Sequence, residues 1–194
     1  MSLAKGYAVP HPPDFTVCKN TKFALCNAST CVDTGTTITG NDGQTYEAAS
    51  CVCPVLTGDS IADVNLGNMQ GKCEADDPKT KVFSTYQFTR NVPQKEGFLW
   101  LPGVEAVTQV CPAENEFAEC WNWECTIIPP EEAMRMGAFG IQLARCTCPI
   151  RKPIFDFLTQ AGKGDPAACQ QLPVLAPLIF DPCELGPKNC SPPQ

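Results

Sequence analysis

Two short stretches, Cys51-Val52-Cys53-Pro54-Val55 and Cys146-Thr147-Cys148-Pro149-Ile150, share one pattern and indicate the fold class of this 194-residue chain. Each lies inside a set of six cysteines. The intervals between successive cysteines are 7, 4, 19, 1 and 19 residues in the first set and 8, 4, 20, 1 and 20 residues in the second. Five intervals that agree within one residue predict a tandem duplication of a single six-cysteine unit.

The number and spacing of the cysteines predict disulfides. The chain has 14 cysteines and 1 histidine, and it has no repeated Cys-x2-Cys spacing of the kind that binds zinc. We expect three bridges inside each unit, with the same connectivity in both, and one bridge in the tail. Fifteen connectivities are possible for six cysteines, and the spacing does not choose among them. The expected disulfide residues are Cys18, Cys26, Cys31, Cys51, Cys53, Cys73, Cys111, Cys120, Cys125, Cys146, Cys148, Cys169, Cys183 and Cys190.

The pattern around the cysteines predicts β-hairpins. In the first unit, a run rich in Val, Ile and Thr at residues 30–38 is followed by the turn signal Asn41-Asp42-Gly43 and a second strand at 44–54. In the second unit, we expect a strand at 121–128, an end at Pro129-Pro130 and a helical turn at 131–136. Phe139, Ile141 and Leu143 alternate and predict a returning strand.

The expected fold is therefore mainly β, small and disulfide-rich, with few or short helices. The boundaries that follow are an N-terminal lead at 1–16, the first unit at 17–73, a packed inter-unit segment at 74–109, the second unit at 110–169 and a tail at 170–194. The inter-unit segment is too apolar for a flexible linker, with a strand pattern at 81–89 and an apolar run at 97–102. Residues 154–160 and 174–180 are each expected to form a short helix or an extended segment.

The composition argues against several classes of function. The net charge is −7 and no basic stripe offsets it, so the chain is not expected to bind nucleic acid or an anionic membrane surface. No apolar run reaches the length of about 18 residues that a membrane span needs. The segment Met1-Ser2-Leu3 lacks the apolar core of a signal peptide, and we interpret it as a cloning remnant in place of a removed signal.

Catalytic and metal chemistry find little support in the sequence. His11 is the sole histidine and lies between two prolines, which argues against a nucleophile–histidine pair. Adjacent acids such as Glu131-Glu132 are typical of solvated surface. We therefore expect no catalytic residue, no cofactor and no metal, and we expect the protein not to be an enzyme. The two Cys-x-Cys pairs leave a thiol redox or metal-binding role as a lesser hypothesis.

Four residues belong to one unit only and are the candidates for contact with a partner. Trp121 and Trp123 alternate along the expected strand of the second unit, where the first unit has Asn27 and Ser29. Such a pair is either part of the core, which we favour in a thin disulfide-rich domain, or an exposed surface that binds a partner. Asp42 and Gly43 form the turn that the second unit lacks. We predict a secreted or periplasmic, non-enzymatic protein that binds another protein or an extracellular surface; its oligomeric state does not follow from the sequence.

A short segment supports a second hypothesis. Asn41-Asp42-Gly43-Gln44-Thr45-Tyr46, followed by Cys51, resembles the Asp-Gly-x-Thr-Tyr segment of Kazal-type protease inhibitors. The resemblance covers about a dozen residues. It departs from the family upstream, where the preceding cysteine, Cys31, lies eleven positions before Asp42, and the second unit lacks the segment. The resemblance implies protease inhibition as the alternative function.

Overall fold

The computed structural model of the protein is mainly β and disulfide-rich, as the sequence predicts. It describes residues 15–26, 29, 31–63, 66–87, 99–101, 104–152, 157–162 and 166–174. Its one α-helix in these ranges, α1 (Pro130–Arg135), has six residues, and a 3-10 helix covers Pro166–Gln170. The strands are β1 (Phe15–Ala24), β2 (Cys31–Thr39), β3 (Thr45–Asp63), β4 (Lys81–Ser84), β5 (Tyr86–Gln87), β6 (Leu99–Leu101), β7 (Val104–Cys111), β8 (Phe117–Ala118), β9 (Glu124–Ile127), β10 (Leu143–Arg151) and β11 (Phe157–Gly162).

The two six-cysteine units contribute strands to the same sheet. The sheet has eight strands, and its pairings close on themselves in the ring β3–β1–β4–β9–β10–β3. Strand β3 of the first unit pairs antiparallel with β10 of the second, with Cys51 opposite Cys146. Strand β4, from the segment between the units, pairs with β1 on one side and β9 on the other. Strands β11, β7 and β6 form a second, three-stranded sheet.

The strand register repeats between the units. Cys31 lies opposite Cys51 in the first unit, as Cys125 lies opposite Cys146 in the second. Likewise Ala24 faces Val55 across β1 and β3, as Ala118 faces Ile150 across β8 and β10. The duplication itself and the domain boundaries at 17–73 and 110–169 stay predictions.

The six described disulfides follow one nested connectivity in both units. The first cysteine pairs with the sixth, the second with the fifth and the third with the fourth. The prediction that both units share a connectivity is confirmed for these bridges, which are Cys18–Cys73, Cys26–Cys53, Cys31–Cys51, Cys111–Cys169, Cys120–Cys148 and Cys125–Cys146. The expected pair Cys183 and Cys190 lies outside the described residues, as does His11.

The main core is built from sulfur and small side chains. Its buried members are Ala24, Cys26, Cys31, Ala49, Cys51, Cys53, Val82, Ala118, Cys120, Cys125, Ala144, Cys146, Cys148, Ile150 and Val174. The eight half-cystines among them are each at most 3% exposed. Because alanine side chains fill little of the space between facing strands, the bridges themselves fill this interior. The covalent links replace much of the stabilisation that large apolar side chains would provide.

Several local predictions were wrong in extent or type. The first strand of the second unit begins at Glu124 rather than at residue 121. The returning strand begins at Leu143, and Phe139 lies in a turn with its side chain 75% exposed. The helical turn expected at 131–136 is confirmed as α1. The segment expected at 154–160 as a short helix or extended chain contains strand β11, and residues 175–180 lie outside the described part.

The expected strand at 81–89 is shorter and divided, into β4 and β5. Its last residues, 88–89, and residues 97–98 and 102 of the apolar run lie outside the described part. The remaining residues of that run form β6, which pairs with β7. In the part of the chain that the structure describes, no helix has both the length and the apolar character that a membrane crossing needs.

Candidate functional site

The central bridges of the two units touch each other through sulfur. The Sγ atom of Cys26 lies 3.6 Å from that of Cys146, and the Sγ atom of Cys120 lies 3.4 Å from that of Cys51. In each contact the second cysteine of one unit meets the fourth of the other. The two units are therefore interlocked at their cores, with the same contact made in both directions.

These contacts bring sulfur atoms to distances that metal sites also show. Two groups of three sulfurs lie within 4.8 Å of one another, namely Cys26, Cys53 and Cys146, and Cys31, Cys51 and Cys120. All six atoms are in disulfides. A thiolate is the form of cysteine that binds metal and attacks disulfides, so in the oxidised protein these sulfurs pack the two units together.

Trp123 and the turn that carries Asp42 and Gly43 meet where the two units join. Asp42 and Gly43 are exposed in the turn between β2 and β3. Beside them, a Cβ atom on Gly40 would lie 3.4 Å from Cη2 of Trp123. Trp123 is 2% exposed. The turn of the first unit thus packs on a buried indole of the second, and Asp42 and Gly43 remain the accessible members of the group.

Trp121 also lies at this contact between the two units, which is called the joint below. Its Nε1 atom donates a hydrogen bond to the carbonyl oxygen of Ile61 at 3.0 Å, and its ring centroid lies 5.1 Å from that of Tyr86. Residues 121–123 precede β9, and Asn122 has φ +65°, so the alternation expected for a shared strand face does not hold here. A partner-binding role for Trp121, Trp123, Asp42 and Gly43 stays a prediction.

A chain of polar contacts crosses the joint. The Tyr46 hydroxyl donates to the Asp42 carboxylate, and the guanidinium carbon of Arg151 lies 4.0 Å from the centroid of the Tyr46 ring. On its other side, Arg151 Nε donates to Glu119 Oε2 at 2.9 Å. The network links the first unit's turn to strand β10 of the second unit and gives the joint a defined geometry.

Burial shifts the protonation of this network. Burial raises the pKa of Glu119 above its usual value, the Arg151 guanidinium opposes this, and the Asp42 and Asp63 carboxylates add to the rise. Burial and the hydrogen bond to Asp42 raise the pKa of Tyr46. Tyr46 therefore keeps the proton that it donates to Asp42.

An apolar loop projects from the second unit. This loop is defined as residues 134–139, the last two residues of α1 and the turn after it, and it carries three large exposed side chains: Met134 at 48%, Met136 at 46% and Phe139 at 75%. Arg135 is exposed among them. The loop is anchored to a buried cluster. The cluster consists of Ile128, Ala133 and Leu143, and Val52, Ala138 and Ile141 pack against it.

The loop arises because the residues between the third and fourth cysteines fold differently in the second unit from those in the first. The third and fourth cysteines are separated by 19 residues in the first unit and 20 in the second. In the first unit these residues extend the hairpin to a tight turn at 40–44. In the second, Pro130 begins α1, and Gly137 and Gly140 take φ +85° and +72°, which turns the chain away from strand geometry. The Pro-Pro-Glu-Glu start was the sequence signal for this change.

A cleft lies between residues of the two units. It has a volume of about 580 Å³ and is lined by Cys31, Val32, Asp33, Glu114, Asn115, Glu116, Ile150, Lys152, Cys169, Gln170, Gln171 and Leu172. Sequence reasoning missed it, since its walls come from β2, from the turn after β7 and from the 3-10 helix. It combines apolar walls with three carboxylates and one ammonium group.

Comparisons with protein-family models, with curated proteins and with solved structures find no match to this chain. The function of this chain is therefore inferred from the loop, the cleft and the joint.

Proposed function

We propose that this chain is a non-enzymatic, disulfide-stabilised protein of an extracellular or periplasmic compartment, and that it binds another protein. The many described disulfides indicate an oxidising compartment. The observation that carries the binding role is the apolar loop, where Met134, Met136 and Phe139 are exposed on a cross-linked support.

Exposed apolar side chains on a rigid support are suited to binding. Large apolar groups clustered on a surface are typical of interfaces, and a loop that is held in one conformation loses little entropy on association. The loop is held by Ala133 and Ile141 beneath it, and an ion pair between Arg145 and Glu132, at 2.9 Å, fixes α1 to strand β10. The same ion pair supports the interpretation of Glu132 as a structural rather than a catalytic acid.

The test is capture of partners from a native extracellular or periplasmic fraction by the immobilised, oxidised chain. We expect the wild type to retain proteins that the triple variant Met134→Ser, Met136→Ser, Phe139→Ser does not. A control with serine at the exposed positions Lys72, Glu74 and Lys79 should bind as the wild type does. Equal capture by the wild type and the loop variant would contradict the loop as the binding surface.

Protease inhibition is the alternative function that the sequence suggests. Because an inhibitor also binds a protein, a direct assay of protease activity distinguishes it from other kinds of binding. The wild type and the loop variant are added to a panel of secreted proteases, and residual activity is measured. Inhibition that needs Asp42 and survives the loop substitutions would favour the inhibitor hypothesis. The Asp42→Ala variant serves as the matched change in the turn.

A further inference from the structure

We propose that the partner of the apolar loop is a second copy of this chain, whose cleft between the units receives the loop. The inference rests on the proposed function, because it names a partner for the same binding surface. The contact joins two different surfaces of the chain, the loop of one copy and the cleft of the other.

The loop presents apolar groups around one positive charge. Between residues 133 and 143 the sole charged residue is Arg135, which is exposed in the last turn of α1. Within the described part of the chain, Arg135 takes part in no ion pair. A complementary surface would offer apolar walls and a nearby carboxylate.

The cleft has these properties. Val32, Ile150 and Leu172 supply apolar wall, and Val32 is 64% exposed. Three carboxylates and one ammonium group line it, which gives a net charge of −2 (three negative charges less one): Asp33, Glu114, Glu116 and Lys152. Among the described residues none of these carboxylates is in an ion pair. The volume of about 580 Å³ falls in the range of clefts that bury a ligand or a side-chain anchor.

The loop does not reach the cleft of its own chain. None of residues 134–139 lines the cleft, and Met134, Met136 and Phe139 are exposed in the same chain. A contact between loop and cleft therefore joins two molecules.

Charge favours a second copy over a lipid surface. The chain carries a net charge of −7, so an anionic bilayer repels it as a whole. Two copies repel each other as well, but the Arg135 charge then meets the cleft's three carboxylates at short range, where the local attraction outweighs the distant repulsion.

The test measures the mass of the full, oxidised chain in solution by sedimentation velocity over a range of protein concentrations. We expect the mass to rise with concentration and to fall as salt is added. Arg135→Glu should weaken association about ten-fold or more, since it places like charges together. Lys79→Glu makes the same change of charge at an exposed site outside both surfaces and should associate as the wild type does.

A second variant tests the cleft and guards against misfolding. Glu114→Lys with Glu116→Lys reverses the charge of the cleft and should also block association. Mixing this variant with Arg135→Glu restores it, because the first supplies an unaltered loop and the second an unaltered cleft. Recovery in the mixture shows that both variants are folded. A mixture that stays monomeric although both variants keep their native bridges contradicts the inference.

The outcomes separate this inference from the proposed function. A wild type that stays monomeric at all concentrations, or whose association is unchanged by both sets of substitutions, overturns the inference. If the monomer still captures a foreign protein through the loop, or binds phosphatidylserine vesicles through it, the second copy is the wrong partner. If deletion of residues 175–194 is required before association appears, the chain's own tail is the occupant of the cleft in the full protein, which also overturns it.

Discussion

Gly67 lies where two segments of backbone approach closely. It has φ +65°, and a Cβ atom there would lie 2.1 Å from the carbonyl oxygen of Asn122. Around it, the Gly67 carbonyl accepts from the Asn41 amide, and the Asn122 carbonyl accepts from the Asn68 amide, both at 2.9 Å. The residue is therefore the point at which the first unit's loops are fitted against the second unit.

We predict that Gly67→Ala lowers the free energy of unfolding by about 2 kcal/mol or more, because it adds a backbone clash to the cost of the left-handed conformation. Gly35→Ala is the matched control, since Gly35 has φ +66° and a Cβ atom there would have open space within 4 Å; its cost should be about 1 kcal/mol. Denaturant unfolding of both variants measures the difference. Equal losses would show that the close approach is unimportant.

Glu119 makes stability depend on pH. Because burial raises its pKa in the folded protein above the usual value of 4.5, the folded state binds the proton more tightly than the unfolded state. The contribution of Glu119 to the free energy of unfolding therefore increases as pH falls through the folded pKa toward 4.5, and decreases as pH rises.

We predict that Glu119→Gln removes the contribution of this carboxyl group to the pH dependence of stability. The difference in the free energy of unfolding between variant and wild type should therefore change between pH 4.5 and the raised pKa of Glu119 in the folded protein. Urea unfolding at a series of pH values measures it, with the exposed Glu74→Gln as the control for loss of one negative charge. A difference that is constant with pH would contradict the assignment. The ion pair with Arg151, at 2.9 Å, opposes the rise in the pKa of Glu119.

At the level of elements, the bridges differ in their accessibility. Both cysteines of each of the four central bridges are at most 3% exposed; these bridges are Cys26–Cys53, Cys31–Cys51, Cys120–Cys148 and Cys125–Cys146. The bridge from Cys18 to Cys73 ties the start of β1 to a surface loop, and Cys73 is half-buried. A reductant must reach sulfur to react. Cys18 is 1% exposed, so half-buried Cys73 is the more accessible end of this bridge, while both ends of each central bridge are shielded.

We predict that mild reduction of the native protein opens Cys18–Cys73 first among the six described bridges, and that the four central bridges open only with global unfolding. Timed alkylation followed by mass spectrometry identifies the order. Early alkylation of Cys51 or Cys146 while Cys18–Cys73 is intact would contradict the prediction.

In the molecule as a whole, the two units share one sheet. The β3–β10 pairing runs from Ala48 opposite Pro149 to Pro54 opposite Leu143, and β4 lies between β1 and β9. A unit cut from its neighbour would expose these strand edges, and the sulfur atoms that contact the other unit, to water.

We therefore predict that residues 1–90 and 91–194, produced separately under oxidising conditions, give mixtures of disulfide isomers instead of the nested pattern. Disulfide mapping and hydrogen exchange compare each fragment with the full chain. A fragment that forms its three native bridges uniquely and protects its strand amides would show that one unit folds alone.

The six-cysteine spacing was enough to predict the disulfides and the connectivity that the units share. The β pattern around the cysteines predicted the class of fold, and Asn41-Asp42-Gly43 predicted the turn, because turn chemistry is a local property. The helical turn at 131–136 was local too, since Pro130 begins it. The pairing order within a unit was not predictable: which cysteines meet depends on which strands lie side by side, and fifteen arrangements have the same spacing.

The order of residues was thus sufficient to predict a cross-linked, mainly β protein. It was insufficient to predict that the two units interlock, that Trp123 packs against the turn at Gly40, or that Phe139 is exposed instead of lying in a strand. Alternation and composition report which faces of an element are apolar. Whether such a face meets the other unit, a cleft or solvent is left to the three-dimensional arrangement, because it depends on contacts between residues far apart in the chain.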